Sequence, residues 1–243
     1  MLVPPTQILL VTPVWNDSAR LADFGQSLAL ALAASRLPIR WVIADDGSPA
    51  VEQARLVQLT ATLVAIYPWV EIHFATAHRG KGSIVREAWT LAPAAEWLVF
   101  VDADGSLTAD GLLELIACAM AAGTSVMGIR KRTATTTVVA SPWRGLVHRG
   151  FLLATHLLLD LHCEDPQCGA KVLLGADYRQ VASELMENGL AFDSELLAAL
   201  RRAGASWLEM PVNWNEKTGG QVRPFRDAWG MIAALWRIRR HRS

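Results

Sequence analysis

The sequence predicts an α/β protein with a mixed, mostly parallel sheet and helices on both faces. Three observations predict it. In the first half, apolar runs of strand length alternate with longer segments whose apolar residues recur at helical spacing. Runs such as Ile8-Leu9-Leu10-Val11 are apolar without alternation, as strands covered on both sides require. Polar clusters at 13–17, 45–48, 78–82 and 102–106 follow the strands, where parallel sheets open into a ligand crevice.

The elements follow in order. The first strand is expected at 7–12. Asn16, Asp17 or Ser18 can cap the next helix, which carries Leu21, Phe24, Leu28 and Leu32 on one face. Strands are expected at 40–44, 70–76, 97–101 and 125–128, with helices between them at 51–66, 82–91 and 108–122. The second half is less regular. A Thr-rich stretch at 131–142 predicts a mobile loop able to act as a lid. Helices are expected at 146–161, 176–187 and 193–203, strands at 171–174 and 207–212, and a last helix at 224–240. That helix places Phe225, Trp229, Ile232, Leu235 and Trp236 on one face and crowds Arg237, Arg239, Arg240, His241 and Arg242 at its end. Such a helix fits either a core-packed terminus with a solvated tail or an anionic membrane interface.

Composition narrows the function classes. The 243 residues are 52% hydrophobic, enough for a single domain over 1–243 with one half at about 1–128 and another at 129–243. Lys and Arg balance Asp and Glu at 23 each, so there is no charge footprint of a nucleic-acid binder. Cys118, Cys163 and Cys168 are an odd set without a second pair for zinc, and reduced thiols in a cytoplasmic protein are expected. Neither a leader pattern nor a long uninterrupted apolar run is visible, so no spanning helix is expected.

The most informative stretch is Val99-Phe100-Val101-Asp102-Ala103-Asp104-Gly105. Two carboxylates two residues apart point to one side of an extended segment. Hard oxygen ligands just beyond a buried strand suit Mg²⁺ or Mn²⁺, completed by substrate phosphate oxygens. A polar turn closing a strand is the plainer alternative.

Further motifs stand beside it: T-P-V-W-N-D at 12–17, A-D-D-G-S at 44–48, H-R-G-K-G at 78–82, D-P-Q-C-G-A-K at 165–171, F-D-S-E-L-L at 192–197 and M-P-V-N-W at 210–214. In this order they resemble family 2 glycosyltransferases of the Rossmann-like GT-A fold. The nearest likeness is the polyprenyl-phosphate sugar transferase branch, which includes dolichyl-phosphate β-glucosyltransferase and dolichol-phosphate mannosyltransferase. The resemblance runs from about residue 9 to 240.

The resemblance implies an inverting transfer of glucose or mannose from UDP-glucose or GDP-mannose to a polyprenyl phosphate, with Mg²⁺ or Mn²⁺. Pro13, Val14, Asn16 and Asp17 would line the nucleotide pocket. Asp45 would accept from a base N–H, with Asp46 supporting its loop. Arg79, Gly80 and Lys81 match the family's N-x-G-K-G loop, with Lys81 meeting phosphate charge and His78 standing where Asn is usual. Asp104 would bind the metal, and Asp102 would contact sugar or ribose beside it or share the metal. Asp165 and Gln167 would cradle the transferred sugar, with Asp165 a base if the acceptor were an alcohol. Asp193 is expected to cap its helix. Arg144 and Arg149 would hold the acceptor phosphate. The C-terminal helix at 224–241 would give a peripheral contact with the inner face of the membrane. A soluble acceptor and a degenerate nucleotide-sugar binding module are the alternatives.

Overall fold

The computed structural model describes residues 7–139, 142–217, 219 and 224–241, with the side chains of 142–148 and 224–228 outside that description. Seven strands form one sheet in the order β3-β2-β1-β4-β7-β5-β8. They are β1 (Ile8–Val14), β2 (Ile39–Asp45), β3 (Val70–Phe74), β4 (Trp97–Val101), β5 (Ser125–Ile129), β7 (Ala170–Leu174) and β8 (Trp207–Pro211). Two short strands, β6 (Val138–Val139) and β9 (Trp214–Asn215), pair separately.

Only β7 runs against its sheet neighbours β4 and β5; the other pairings are parallel. This reversal positions the site. The parallel strands β1, β2 and β4 end at one edge of the sheet, and β7 begins there. The segment before β7 therefore joins the clusters that follow β1, β2 and β4.

Both faces of the sheet are covered. Alternate residues of β4 divide between two cores: Trp97, Val99 and Val101 face one, Leu98 and Phe100 the other. The first core is closed by α1 (Ser18–Ser35), α2 (Ala50–Ile66) and α4 (Ala109–Ala122). The second is closed by α3 (Lys81–Trp89), α5 (Pro142–Leu159), α6 (Gly175–Val181), α7 (Phe192–Arg202) and α8 (Pro224–Arg240). Leu21, Phe24, Leu28 and Leu32 of α1 are all buried, as their spacing predicts. Thr108 caps α4 by accepting from Gly111 N at 3.1 Å.

Several expectations change. Asp17 stands at the α1 N-cap position but makes no capping bond, because its carboxylate pairs with Arg20. The α1 start is served instead by Glu52, which accepts from Ser18 N at 2.6 Å. The helix expected at 176–187 stops earlier, as α6 followed by a 3₁₀ turn at Ala182–Glu184. The buried Glu195 carboxylate accepts from Met186 N and Glu187 N, taking up N–H groups that a continued helix would have bonded to carbonyls four residues earlier. The described part of the expected mobile loop, 131–139, carries hydrogen bonds and one short strand. Thr133 N donates to Thr136 O, Thr137 N donates to Asn213 Oδ1, and β6 pairs with β9.

Helix α8 divides its apolar residues. Ala234, Leu235 and Ile238 are buried, whereas Trp229 and Trp236 are 77% and 51% exposed. It packs on α5, where Leu153 and Leu157 also face outward. Among the described residues no helix is long and apolar enough to cross a membrane. Phe225 lies outside the described side chains.

Candidate active site

The polar clusters meet along the edge where β1, β2 and β4 end. Val14 lies opposite Asp45 in the β1–β2 register, which brings the ends of the Pro13–Val14 and Asp45 segments together. Asn16 takes a left-handed backbone, φ 50°, and its N–H donates to Ser48 Oγ at 2.8 Å, tying the first cluster to the second. Asp45 is completely buried. Its Oδ2 accepts from Ser48 N at 3.0 Å and Gln53 Nε2 at 3.1 Å, while Oδ1 has no hydrogen-bond partner among the described residues. A buried carboxylate oxygen without a donor is costly unless something supplies one. A nucleobase N–H is a donor of the required kind.

Asp46 organises the third cluster. It accepts from Arg79 N at 3.0 Å and Gly80 N at 2.7 Å, and its Oδ2 lies 2.7 Å from His78 Nδ1. His78 stacks on Trp15 with ring centroids 4.1 Å apart, an aromatic pair across the first and third clusters. Gly80 has φ 114°, a conformation L side chains rarely adopt, and a Cβ there would strike the Asn188 carbonyl. At Gly82 a Cβ would strike Phe192, so glycine lets α3 approach α7 and puts Lys81 beside Asp193. Arg79 reaches away from the loop to Glu87 at 2.5 Å.

The paired acids do not share one extended face. The strand stops at Val101, and a turn through Ala103 and Asp104 follows, with Gly105 at φ 66°. Asp104 Oδ1 accepts from Ser106 N at 2.9 Å, and this local bond turns the carboxylate out of strand register. The two acids therefore meet different cations. Asp102 Oδ1 lies 2.9 Å from Lys81 Nζ, and Asp104 Oδ2 lies 3.5 Å from Arg20 Nη1. Lys81 also reaches Asp193 Oδ2 at 3.3 Å. Burial, the largest influence on Lys81, works to lower its pKa, but Asp102 and Asp193 together outweigh it and hold the ammonium charged. Arg20 is held charged chiefly by its bonds to Asp17.

Could this edge hold a divalent cation? Among the described residues no group of three or more His, Cys, Asp or Glu side chains converges on one point. A hard cation completed by diphosphate oxygens needs only one or two carboxylates. Asp104 fits that part. It keeps 21% of its side chain open, and among the described residues Oδ2 has only the long contact with Arg20. Asp102 fits it less well, since Lys81 already occupies Oδ1.

The segment entering β7 completes the edge. Asp102 N donates to Gly169 O at 2.8 Å, and Gln167 Nε2 donates to Ser194 Oγ at 3.0 Å. Asp165 is buried and held in a fork by Arg130, Nε to Oδ2 at 2.6 Å and Nη2 to Oδ1 at 2.8 Å, with Arg130 N also donating. Burial alone would lower the Arg130 pKa, but Asp165 overcomes it and raises it. A carboxylate gripped in this way is a poor base, so the geometry gives Asp165 a positioning part. Burial pushes the Cys163 and Cys168 thiols up to about 12, and all three cysteines are free.

Asp193 does not cap α7; Ala191 holds that position. The Asp193 side chain is buried and faces both Lys81 and Lys171 instead. Arg149 is exposed on α5, while the Arg144 side chain lies outside the described residues. Sequence reasoning missed Arg20 and Lys171. The signal for Arg20 was its place three residues after Asp17; for Lys171 it was a lone charge inside the apolar run Ala170–Leu174.

No family model matches the chain. A dolichyl-phosphate β-glucosyltransferase of Dictyostelium discoideum is 25% identical over 95% of this chain and 73% of its own length. Among solved structures, mannosyl-3-phosphoglycerate synthase from Rubrobacter xylanophilus superposes with a TM-score of 0.66 at 14% identity, covering 98% of this chain and 74% of that one. Glucosyl-3-phosphoglycerate synthase from Mycobacterium tuberculosis, in complex with Mn²⁺, UDP and glucosyl-3-phosphoglycerate, gives 0.63 at 14% identity over 96% and 78%. The chain has the GT-A fold of these structures, and in sequence it is similar to dolichyl-phosphate β-glucosyltransferases.

Proposed function

We propose that this protein moves a hexose from a nucleotide-diphosphate sugar, UDP-glucose or GDP-mannose, to a polyprenyl phosphate or related lipid-borne acceptor, with inversion. The observation that carries the reading is the convergence on one sheet edge of a buried acceptor without a donor among the described residues, Asp45 Oδ1, with Lys81, Asp102 and Asp104. One group suits a base; the others suit a diphosphate and its cation.

In this reading Asp45 takes the base N–H, in a pocket walled by Pro13, Val14, Asn16 and Asp17. Asp46 presents the Arg79–Gly80–Lys81 loop, and Lys81 offsets diphosphate charge. Mg²⁺ or Mn²⁺ at Asp104, when bound, neutralises charge on the departing nucleoside diphosphate. Asp102 and Gln167 orient the sugar, and Asp165 fixes Arg130 beside them. Arg144 and Arg149 hold the acceptor phosphate, already ionised near neutral pH and therefore in little need of a base. Trp229 and Trp236 with the surrounding arginines of α8 make a peripheral contact with an anionic membrane surface.

The phosphoglycerate synthases among the structural neighbours favour a second reading, a soluble phosphorylated acceptor. Thermal stabilisation by UDP-glucose and GDP-mannose, with and without Mg²⁺ or Mn²⁺, tests the donor site. Ligand at about 100 times its Kd adds about 2.7 kcal/mol, a rise of roughly 5–10 °C for a chain of this size. Asp104→Ala should remove the metal-dependent part. Transfer to polyprenyl phosphate in detergent, compared with phosphoglycerate, then separates the acceptors. No shift with either donor in any metal would overturn the proposal.

A further inference from the structure

Four charges alternate beneath the cleft: Asp102, Lys81, Asp193 and Lys171. Lys81 Nζ stands 2.9 Å from Asp102 Oδ1 and 3.3 Å from Asp193 Oδ2. Lys171 Nζ stands 2.7 Å from Asp193 Oδ1 and donates to Cys168 O at 2.8 Å. Both ammonium groups lie over the Phe100 ring, at 4.6 and 5.2 Å from its centre. Asp193 thus has one cation on each oxygen.

The two lysines differ in access. Lys171 is wholly buried on β7, opposite Phe100 in the β4–β7 register. Lys81, at the start of α3, keeps 15% of its side chain open. A lone buried carboxylate needs a single cation to be tolerated. With Lys171 in place Asp193 already has it, so Lys81 can leave without stranding Asp193, while Asp102, with 35% of its side chain open, is left to solvent. Without Lys171, Asp193 would have Lys81 as its only counter-ion among the described residues.

We propose that Lys171 is a positioning residue for the donor site: by neutralising Asp193 from below, it leaves Lys81 free to exchange its carboxylates for the donor diphosphate. The inference rests on the donor reading given above and adds the residue that governs how readily the phosphate-binding lysine is released.

The test compares wild type, Lys171→Met and the double variant Lys171→Met/Asp193→Asn. Binding of UDP-glucose and GDP-mannose with Mg²⁺ is titrated, and KM and kcat are measured with the donor that binds. Lys171→Met should weaken the donor roughly 10- to 100-fold, mostly in KM, because Lys81 is then held as one member of a buried pair. The double variant, with no charge left at 193, should return to within about threefold of wild type. A purely structural lysine predicts no such recovery. Donor binding by Lys171→Met within about twofold of wild type, or a double variant no better than the single, overturns the proposal. If Lys171→Met does not fold, the double variant decides alone: near-wild-type donor affinity supports the proposal, and a loss above about tenfold overturns it. Wild-type protein that binds neither donor refutes the donor reading itself, and this inference with it.

Discussion

Gly169→Ala probes the join between β4 and β7. A Cβ at this position would lie 2.0 Å from Asp102 Oδ2 and 2.5 Å from its Cγ, where real Cβ contacts stay beyond 3.0 Å. Asp102 must therefore shift by at least about 1 Å. It has little room to do so, since its N–H is bound to Gly169 O and its Oδ1 to Lys81 at 2.9 Å. A shift of this size takes the Lys81 contact beyond hydrogen-bonding distance. Overpacking costs about 1–3 kcal/mol, which lowers Tm by a few degrees in a chain of this length. The larger effect is on the reaction, where displacement by about 1 Å costs on the order of 100-fold. The assay is transfer of labelled hexose alongside a melting curve. A variant with transfer within about threefold of wild type would show that Asp102 can leave its place without harm, and would refute the reasoning.

Other perturbations follow from the same contacts. Arg130→Ala removes the forked, charge-assisted bonds to the buried Asp165 carboxylate and should destabilise by about 1–3 kcal/mol, read by denaturant titration, whereas Arg130→Lys keeps the charge but not the fork and should fall between. Glu52 is held below the usual carboxylate range: burial, the largest influence, pushes it up, but its bonds to Ser18 and Arg55 prevail. A lowered pKa means stability present above the unfolded value near 4.3 and lost as pH falls through the folded value. Glu52→Gln should therefore remove that acid-side slope and lower stability at pH 7 by about 1–2 kcal/mol, measured as Tm against pH. Trp229→Ser with Trp236→Ser should weaken flotation with anionic vesicles about tenfold and leave Tm nearly unchanged, since both indoles face outward. Unaltered flotation would remove α8 from any membrane contact.

The sequence by itself determined the fold class, most of the elements and the clusters that make the candidate site. Those depend on local quantities: apolar spacing in Leu21, Phe24, Leu28 and Leu32, an unalternated run in β1, and polar residues where strands stop. It did not determine the partners. Asp102 and Asp104 look equivalent along the chain, yet a turn bonded through Ser106 sends one to Lys81 and the other to Arg20. Asp193 resembles a helix cap until α3 and β7 bring two lysines to it, both from more than twenty residues earlier in the chain. The reversal of β7, which delivers Asp165, Gln167 and Gly169 to the same edge as the strand ends, is a property of sheet order. Side-chain charge is written in the sequence, but which opposite charge neutralises it is decided by packing between distant segments, and only the tertiary structure holds that information.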